Sequence, residues 1–319
     1  MDITACICTH NRPGYLHDCL DGLCRQTASA SLFDILVVDS ASTSDAAAQM
    51  AHMVRDIPNA RLLTVNQPGV SHARNAGADR ARGIYIAYID DDAIPAPEWI
   101  EQILHAISER QPALIGGRIL PHWEAPLPEW WPPTLRATLS IIEFEGQGEY
   151  RTGELPPDLE PYGANMIVHL PALRAIGGFG RSSGRVGQAL LSDEEVQLAW
   201  RLQTAGYSVR YDSRIVVRHQ IQAARLKPSW LLSRQYWQGA STVLTRRLLN
   251  NPGSVWRELP RRILVTALMA PFALVPQDSP FLLACRWRLA YSAGFVRTAL
   301  GWKAAKAAAR NAVSTSVPA

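Results

Sequence analysis

Acidic residues almost vanish from the last third of this 319-residue chain. After residue 220 there are 14 lysines and arginines against two acids, Glu258 and Asp278, a block near +12. The part before it carries 18 basic and 26 acidic residues, near −8, so the overall charge of +4 hides two regions suited to different partners. Cysteine is scarce as well. The five present (Cys6, Cys8, Cys19, Cys24, Cys285) show neither zinc-ligand spacing nor an even disulfide framework, which excludes a zinc module and a disulfide scaffold. Cys6 and Cys8 fall on a predicted strand, and Cys19 and Cys24 on the apolar face of a predicted helix. Packed, reduced thiols suit the cytosol. The opening "MDITACICTHNRP" has no basic segment leading into an apolar one, so no signal peptide is expected. Two phosphate-binding loops are missing too. There is no Gly-x-x-x-x-Gly-Lys, and no Gly-x-Gly-x-x-Gly follows the first strand, so a nucleotide would need another scheme to hold it.

What is present alternates. "ITACIC", "FDILVVD", "ARLLTV" and "IYIAYI" read as strands. Between them, "GYLHDCLDGLCRQT", "SDAAAQMAHMVRD" and "SHARNAGADRARG" read as helices, the second capped by Ser44 and the third by Ser71. The order β-α-β-α-β-α-β predicts an α/β fold with a mainly parallel sheet and helices on both faces. Ligands on such sheets bind outside the carboxyl ends of the strands. There the sequence places Thr9, His10, Asn11 and Arg12, then Asp39 and Ser40, then Asp90, Asp91 and Asp92. From Pro121 to Pro161 the chain is rich in proline and is expected to be a long excursion with short ordered pieces. Beyond it come "GANMIVH", a helix in "SDEEVQLAWRLQTAGY" and a strand in "VRYDSRIVVRH".

Three adjacent carboxylates at the end of a buried strand repel one another. One could cap the helix of "PEWIEQILHAISER", but Asp92 lies several residues before Pro97, beyond capping position, and three caps are not needed. A divalent cation answers the repulsion. Mg²⁺ or Mn²⁺ held by one or two carboxylates would keep its remaining positions for water and phosphate oxygens, and at this place its natural partner is a diphosphate.

Six stretches in order, "CTHNRP", "VVDSAST", "GVSHARNAGADRARGIYIAYIDDD", "YGANMIVH…LRAIGGFG", "DEEVQLAWRLQTAGY" and "VVRH", resemble the family 2 glycosyltransferases of bacterial surface-polysaccharide type. These are inverting enzymes of the GT-A fold, Rossmann-like with a mainly parallel sheet. The resemblance covers about residues 1–220, which it marks as a catalytic domain, with 221–319 a C-terminal helical extension. It implies that Thr9 and Asn11 line the nucleotide pocket with Arg12 nearby, that Asp39 bonds the base edge, and that Arg74 sits near the nucleotide. It further implies that Asp90 contacts the ribose and that Asp92 ligates the metal, with Asp91 less direct. His219, which by itself reads as a surface residue before a loop, would lie near the metal and diphosphate. The loop Gly163, Ala164, Asn165 would lie beside the donor sugar and the acceptor. Where the family usually has an acidic residue after "GGF", this chain has Gly180 and Arg181. Trp130 and Trp131 would either stack on sugar faces or cover apolar surface.

Inverting transfer needs a base to take the acceptor proton. Glu194 and Glu195 open a predicted helix, where acids also favour the macrodipole and a Glu-to-Arg pair with Arg201 is the plain structural reading. The family usually reads Glu-Asp here, with the Asp as base. Glu195 occupies that place, one methylene longer, and Asp193 is its rival.

The basic extension lacks a spanning segment. Arg262 to Pro276 is apolar for roughly 14 residues against the ~20 required, and Pro271 interrupts it. The stretch 281–310 is longer but carries Arg286, Arg288 and Arg297, and 230–249 has the same mixture of Trp, Leu and Arg. Peripheral attachment to an anionic membrane on the cytoplasmic side is expected, with a shallow hairpin and a helical lid as the alternatives. Nucleic acid is not expected, since no binding module frames the charges. The expected function is transfer of a sugar from a nucleotide-diphosphate donor, a UDP-sugar for preference, to a hydroxyl of a glycan or lipid-linked acceptor. A sugar-phosphate nucleotidyltransferase and a non-catalytic nucleotide-sugar-binding protein are the alternatives.

Overall fold

The apolar, β-branched runs do become strands, because residues with that pattern fit a sheet covered on both faces. The computed structural model describes residues 2–156, 159–180, 190–249, 251–275 and 279–301. By internal contacts the chain forms two units. The first is Met1–Glu124, Pro133–Arg181 and Leu198–Ile221, and the second is Ala125–Pro132, Ser182–Gln197 and Gln222–Ala319.

The first unit opens with β1 (Ile3–Thr9), α1 (Pro13–Cys24), β2 (Phe33–Ser40), α2 (Ser44–Arg55), β3 (Ala60–Val65), α3 (Val70–Arg80) and β4 (Tyr85–Asp90). It continues with β5 (Ala93–Pro95), α4 (Trp99–Arg110), β6 (Leu114–Trp123), β7 (Gln147–Glu149), β8 (Met166–His169) and α5 (Leu170–Ala175). β9 (Val209–Ile221) follows, after helix α6 (Glu194–Thr204), whose residues up to Gln197 belong to the second unit. One nine-stranded sheet runs β3-β2-β1-β4-β8-β6-β9-β5, with β7 also on β9. The first four strands are parallel, as the alternation predicts. Past β4 the sheet becomes mixed. β8 is antiparallel to β4 and β6, β6 is parallel to β9, and β5 and β7 are antiparallel to β9. β2 is buried along its whole length, as a central parallel strand between helical layers must be.

Several local expectations need correction. Ser44 and Ser71 lie inside their helices, behind Thr43 and Gly69, and neither helix has a side-chain cap bond. Cys24 is exposed, because it closes α1 on the solvent side, whereas Cys6 and Cys19 are buried. The strands β5 and β7, three residues each, are too short to show a period. Among the described residues, the stretch from Pro121 to Pro161 holds little regular structure beyond the end of β6, β7 and a 3₁₀ turn over Pro133–Leu139.

The second unit is built on α7 (Pro228–Leu248), α8 (Pro252–Ala273) and α9 (Pro280–Ala299). Pro271 does not interrupt α8, which runs through both Pro260 and Pro271. α7 and α9 cross where Gly239 and Gly294 let the two backbones touch. A Cβ at Gly239 would collide with the Tyr291 carbonyl, and one at Gly294 with that of Tyr236. A backbone cannot yield as a side-chain tip can. Gly239→Val is therefore expected to cost about 3 kcal/mol and to lower the melting temperature in calorimetry, whereas the same change at Gly253, with open space around it, should not. No helix among the described residues is long and apolar enough to cross a membrane.

Candidate active site

Parallel pairing brings the carboxyl ends of β1, β2 and β4 side by side. Thr9 is opposite Asp39, and Cys8 is opposite Asp90. Past its strand each chain must turn away, and two residues do so in the left-handed region, Asn11 (φ 55°) and Ala41 (φ 57°). Asparagine tolerates this and alanine does so at a cost. Two hydrogen bonds tie the turns together. The Asn11 N–H donates to Ser42 Oγ at 2.8 Å, and the Thr43 N–H donates to Asn11 Oδ1 at 2.8 Å.

The repulsion among the three aspartates is answered by side chains of the protein itself. Arg12 forks across two of them, Nη1 to Asp91 Oδ1 at 2.7 Å and Nη2 to Asp92 Oδ2 at 2.8 Å. Thr9 Oγ1 donates to Asp91 Oδ2 at 2.8 Å. Arg74 Nη2 is 3.4 Å from Asp90 Oδ1. Burial pushes the Asp91 carboxyl up, to about 7, against the pull of Arg12 and of the Thr9 hydroxyl. For Arg12 burial works against the charge, but Asp92 and Asp91 outweigh it and hold the guanidinium above its ordinary value. Arg12 thus sits on the carboxylates, and its exposed edge lies over the Tyr15 ring at 4.4 Å.

Asp92 turns its other oxygen to His219. The antiparallel pairing of β5 with β9 sets Ala93 opposite His219, and the Gln220 N–H donates to the Asp92 carbonyl at 2.7 Å. His219 is therefore no surface residue; it is 2 % exposed. Its Nδ1 is 3.0 Å from the Leu139 carbonyl, which can only accept, so Nδ1 carries the proton. Nε2 then faces Asp92 Oδ1 at 3.3 Å. A neutral ring would present a lone pair to a carboxylate oxygen, an arrangement that calls for a positive charge between or on the two groups. An imidazole that donates one N–H to a carbonyl and offers the other nitrogen beside a carboxylate is the usual form of a metal-binding histidine. These two donors fit Mg²⁺ or Mn²⁺, which take few protein ligands and complete their shell with water and phosphate. Among the described residues no group of three or more His, Cys, Asp or Glu is set to hold an ion without such help.

The carboxyl end of β2 is equally specific. Asp39 is fully buried; its Oδ1 accepts from the Ser42 N–H at 3.1 Å, while its Oδ2 has no hydrogen-bond partner among the described residues. A buried carboxylate oxygen left unbonded is costly and is suited to accept from a ligand N–H. Arg74 is 3 % exposed, with its guanidinium over the Phe179 ring at 5.5 Å and its carbonyl accepting from the Tyr88 hydroxyl at 2.9 Å.

The Gly163–Asn165 loop is buried, and the Asn165 side chain turns into the core. Its Oδ1 accepts from Trp99 Nε1 at 2.9 Å, and its Nδ2 donates to the carbonyls of Arg118 and Ile215 at 3.0 and 2.8 Å. Gly117 is required beside it, since a Cβ there would strike the Asn165 amide. What this loop can offer a ligand is backbone. Sequence reasoning passed over Asn75, next to Arg74. Its Oδ1 accepts from the Phe179 N–H at 2.9 Å and its Nδ2 donates to the Phe179 carbonyl at 3.0 Å. Arg201 donates to the carbonyls of Gly178, at 2.7 Å, and of Ile176, so its guanidinium serves this loop and not a helix ion pair with Glu195. Arg181 lies outside the described residues.

In the second unit Glu194 and Glu195 begin α6 as expected, and both are buried, 6 % and 8 % exposed. Asp193 precedes them in the left-handed region, φ 76°. Its Oδ1 accepts from Ser192 Oγ and from Gln238 Nε2, each at 3.0 Å, so this rival carboxylate is held in place. The Trp130 and Trp131 rings are 5.4 Å apart, and Trp131 is buried.

Residues 4–161 match the sequence model for Glycosyl transferase family 2. Among curated proteins, the glucosyl-dolichyl phosphate glucuronosyltransferase of Haloferax volcanii is 30 % identical over 175 residues, which is 54 % of each chain. The succinoglycan biosynthesis protein ExoM of Rhizobium meliloti is 22 % identical over 237 residues, covering 73 % of this chain and 71 % of that protein. A pre-mycofactocin glycosyltransferase of Mycobacterium tuberculosis is 26 % identical over 56 % of this chain and 35 % of that one. The chain thus spans about half the length, or less, of the first and third of these relatives. Among solved structures, the mannosyltransferase PcManGT of Pyrobaculum calidifontis, in complex with GDP-Man and Mn²⁺, superposes with TM-score 0.57 at 16 % identity, over 98 % of this chain and 79 % of that one. S. aureus TarS 1-349 in complex with UDP gives 0.53 at 15 % identity, over 95 % and 92 %. These likenesses show the GT-A fold.

Proposed function

We propose, on the premise that this chain is a family 2 glycosyltransferase through residues 4–161, that it transfers one sugar with inversion from a nucleotide-diphosphate donor, a UDP-sugar for preference. The acceptor is a hydroxyl of a lipid-linked glycan. The observation that carries the reading is the buried placing of Asp92 Oδ1 beside His219 Nε2, 3.3 Å apart, with the His219 Nδ1 turned to the Leu139 carbonyl. The names of relatives that act on a dolichyl phosphate-linked sugar and in succinoglycan biosynthesis support the acceptor class.

Each residue then has a task. Asp39 Oδ2 accepts from the base, and Thr9 and Asn11 shape the pocket around it. Asp90, steadied by Arg74, receives the ribose hydroxyls. Asp92 and His219 hold Mg²⁺ or Mn²⁺, which when bound supplies Lewis-acid neutralisation of the departing diphosphate. Arg12 keeps Asp92 in position through Oδ2, and the backbone of Gly163 and Ala164 lies along the sugar. Glu195, with Glu194 beside it, takes the proton of the acceptor hydroxyl as its oxygen attacks C1 from the side opposite the leaving group. Residues 1–220 are the catalytic part. Residues 221–319 hold the enzyme to an anionic membrane at its cytoplasmic face.

The test is a transfer assay with UDP- and GDP-sugars, Mn²⁺ and a polyprenyl-linked acceptor. Release of nucleoside diphosphate with formation of a glycosylated lipid is expected. Release of pyrophosphate, or binding with no turnover under any donor, would overturn the reading. Glu195→Gln is expected to lower kcat for transfer by about 10²–10⁴-fold while leaving donor binding intact. Should Asp193→Asn produce that split and Glu195→Gln not, the base is Asp193.

A further inference from the structure

The three helices of the second unit share their apolar surface unequally. α7 and α9 turn theirs toward each other across the glycine crossing, and Val243, Phe295 and Ala299 are buried there. α8 adds Val255 and Leu259 to that cluster. From the same side Arg262 Nε donates to Glu258 Oε1 at 2.7 Å, and the Arg262 guanidinium lies over the Tyr291 ring at 4.4 Å. The inner face of α8 is therefore in use. A helix so placed normally turns charged residues outward. This one does the reverse: Trp256, Ile263, Leu264, Leu268 and Leu274 are 47–85 % exposed. At 100° per residue they fall in one arc of roughly 140°, along a helix of 22 residues. An exposed apolar stripe on that scale marks an interaction surface.

Charge decides the partner. Glu258 is the one acid of α8, and it is engaged by Arg246 and Arg262. Arg257 and Arg261 are exposed on the same side of the helix, in its N-terminal half, Arg261 at the edge of the stripe. A second copy of the same surface would set arginine against arginine, whereas anionic lipid supplies both an apolar phase for the stripe and phosphates for the rim. We propose that α8 is the membrane-seating element, lying in the plane of an anionic bilayer with Trp256 to Leu274 sunk to the headgroup–acyl boundary and Arg257 and Arg261 on lipid phosphates. α7 and α9 do not insert. The choice of partner rests on the membrane attachment proposed above, and the assignment to α8 rests on exposure and charge.

The full chain is floated with vesicles of phosphatidylcholine alone and of phosphatidylcholine with phosphatidylglycerol. The wild type is expected to float with the anionic vesicles only. The double variant Leu264→Glu/Leu268→Glu should lose partitioning on the order of a hundredfold. Arg257→Gln/Arg261→Gln should lose about tenfold or somewhat more and show a weaker salt dependence. Leu248→Glu, an exposed apolar site on α7, should leave partitioning unchanged. Release of nucleoside diphosphate in vesicle-free buffer confirms that each variant is folded. Flotation of the Leu264→Glu/Leu268→Glu protein at the wild-type level would overturn the assignment to α8 while leaving membrane attachment standing. Absence of wild-type flotation would overturn both. A dimer in light scattering that the double variant abolishes, with flotation unaltered, would give the stripe to a second copy and refute the proposal. If no donor is turned over yet flotation follows the expected pattern, the catalytic reading fails and this one survives.

Discussion

Asp92→Ala is expected to lower kcat/KM by about 10³-fold or more, the scale of several kcal/mol of lost charge stabilisation on a leaving diphosphate. The protein should remain folded, because Arg12 keeps its second carboxylate, Asp91. A binding readout separates the chemistry from collapse. In the wild type, Mn²⁺ with a nucleoside diphosphate at a hundred times its Kd should add about 2.7 kcal/mol of stability, seen as a rise in Tm. Asp92→Ala should lose most of that rise, and His219→Ala a good part of it. Full activity of Asp92→Ala, or of the wild type in excess chelator, would end the metal assignment.

Arg12→Ala carries the other large effect, this time on the fold. The guanidinium is the nearest positive charge to two carboxylates that are 3 % and 2 % exposed. Breaking a buried pair by removing one partner costs about 3–5 kcal/mol, and the partial exposure of Arg12 places the expected loss at about 3 kcal/mol in urea unfolding. Arg12→Lys should recover only part, since an ammonium cannot reach both carboxylates in parallel as the fork does. Mn²⁺ should raise Tm more for Arg12→Ala than for the wild type, because the ion then supplies charge that the mutant lacks. An unchanged unfolding midpoint for Arg12→Ala would show that Asp91 and Asp92 are neutralised by other means.

The strand ends show how far local pattern carries. Tyr85, Ile86, Tyr88 and Ile89 announce a buried strand, and the turn to Asp90 marks its carboxyl end, where parallel pairing with β1 does place Thr9 beside Asp91. Asn165 shows where pattern misleads. Its loop was legible, but the direction of its amide was not, because three of its partners, Trp99, Arg118 and Ile215, come from other elements. The Asn75 clamp on Phe179 was missed for the same cause: a lone asparagine in a helix has no periodic signature.

From the residues alone came the order of the first four strands and the three helices between them, the acidic end of β4 and the basic excess after residue 220, since periodicity and composition are properties of neighbouring positions. Tertiary structure alone decided that Arg12 neutralises the aspartates, that the three-residue β5 leads His219 to Asp92, and that α8 turns an apolar stripe outward while Val243 of α7 and Phe295 of α9 are buried. Each of those depends on which distant segments pair and which face is left over. That is settled only when the whole chain has distributed its hydrogen bonds and buried surface, and no short window of sequence holds it.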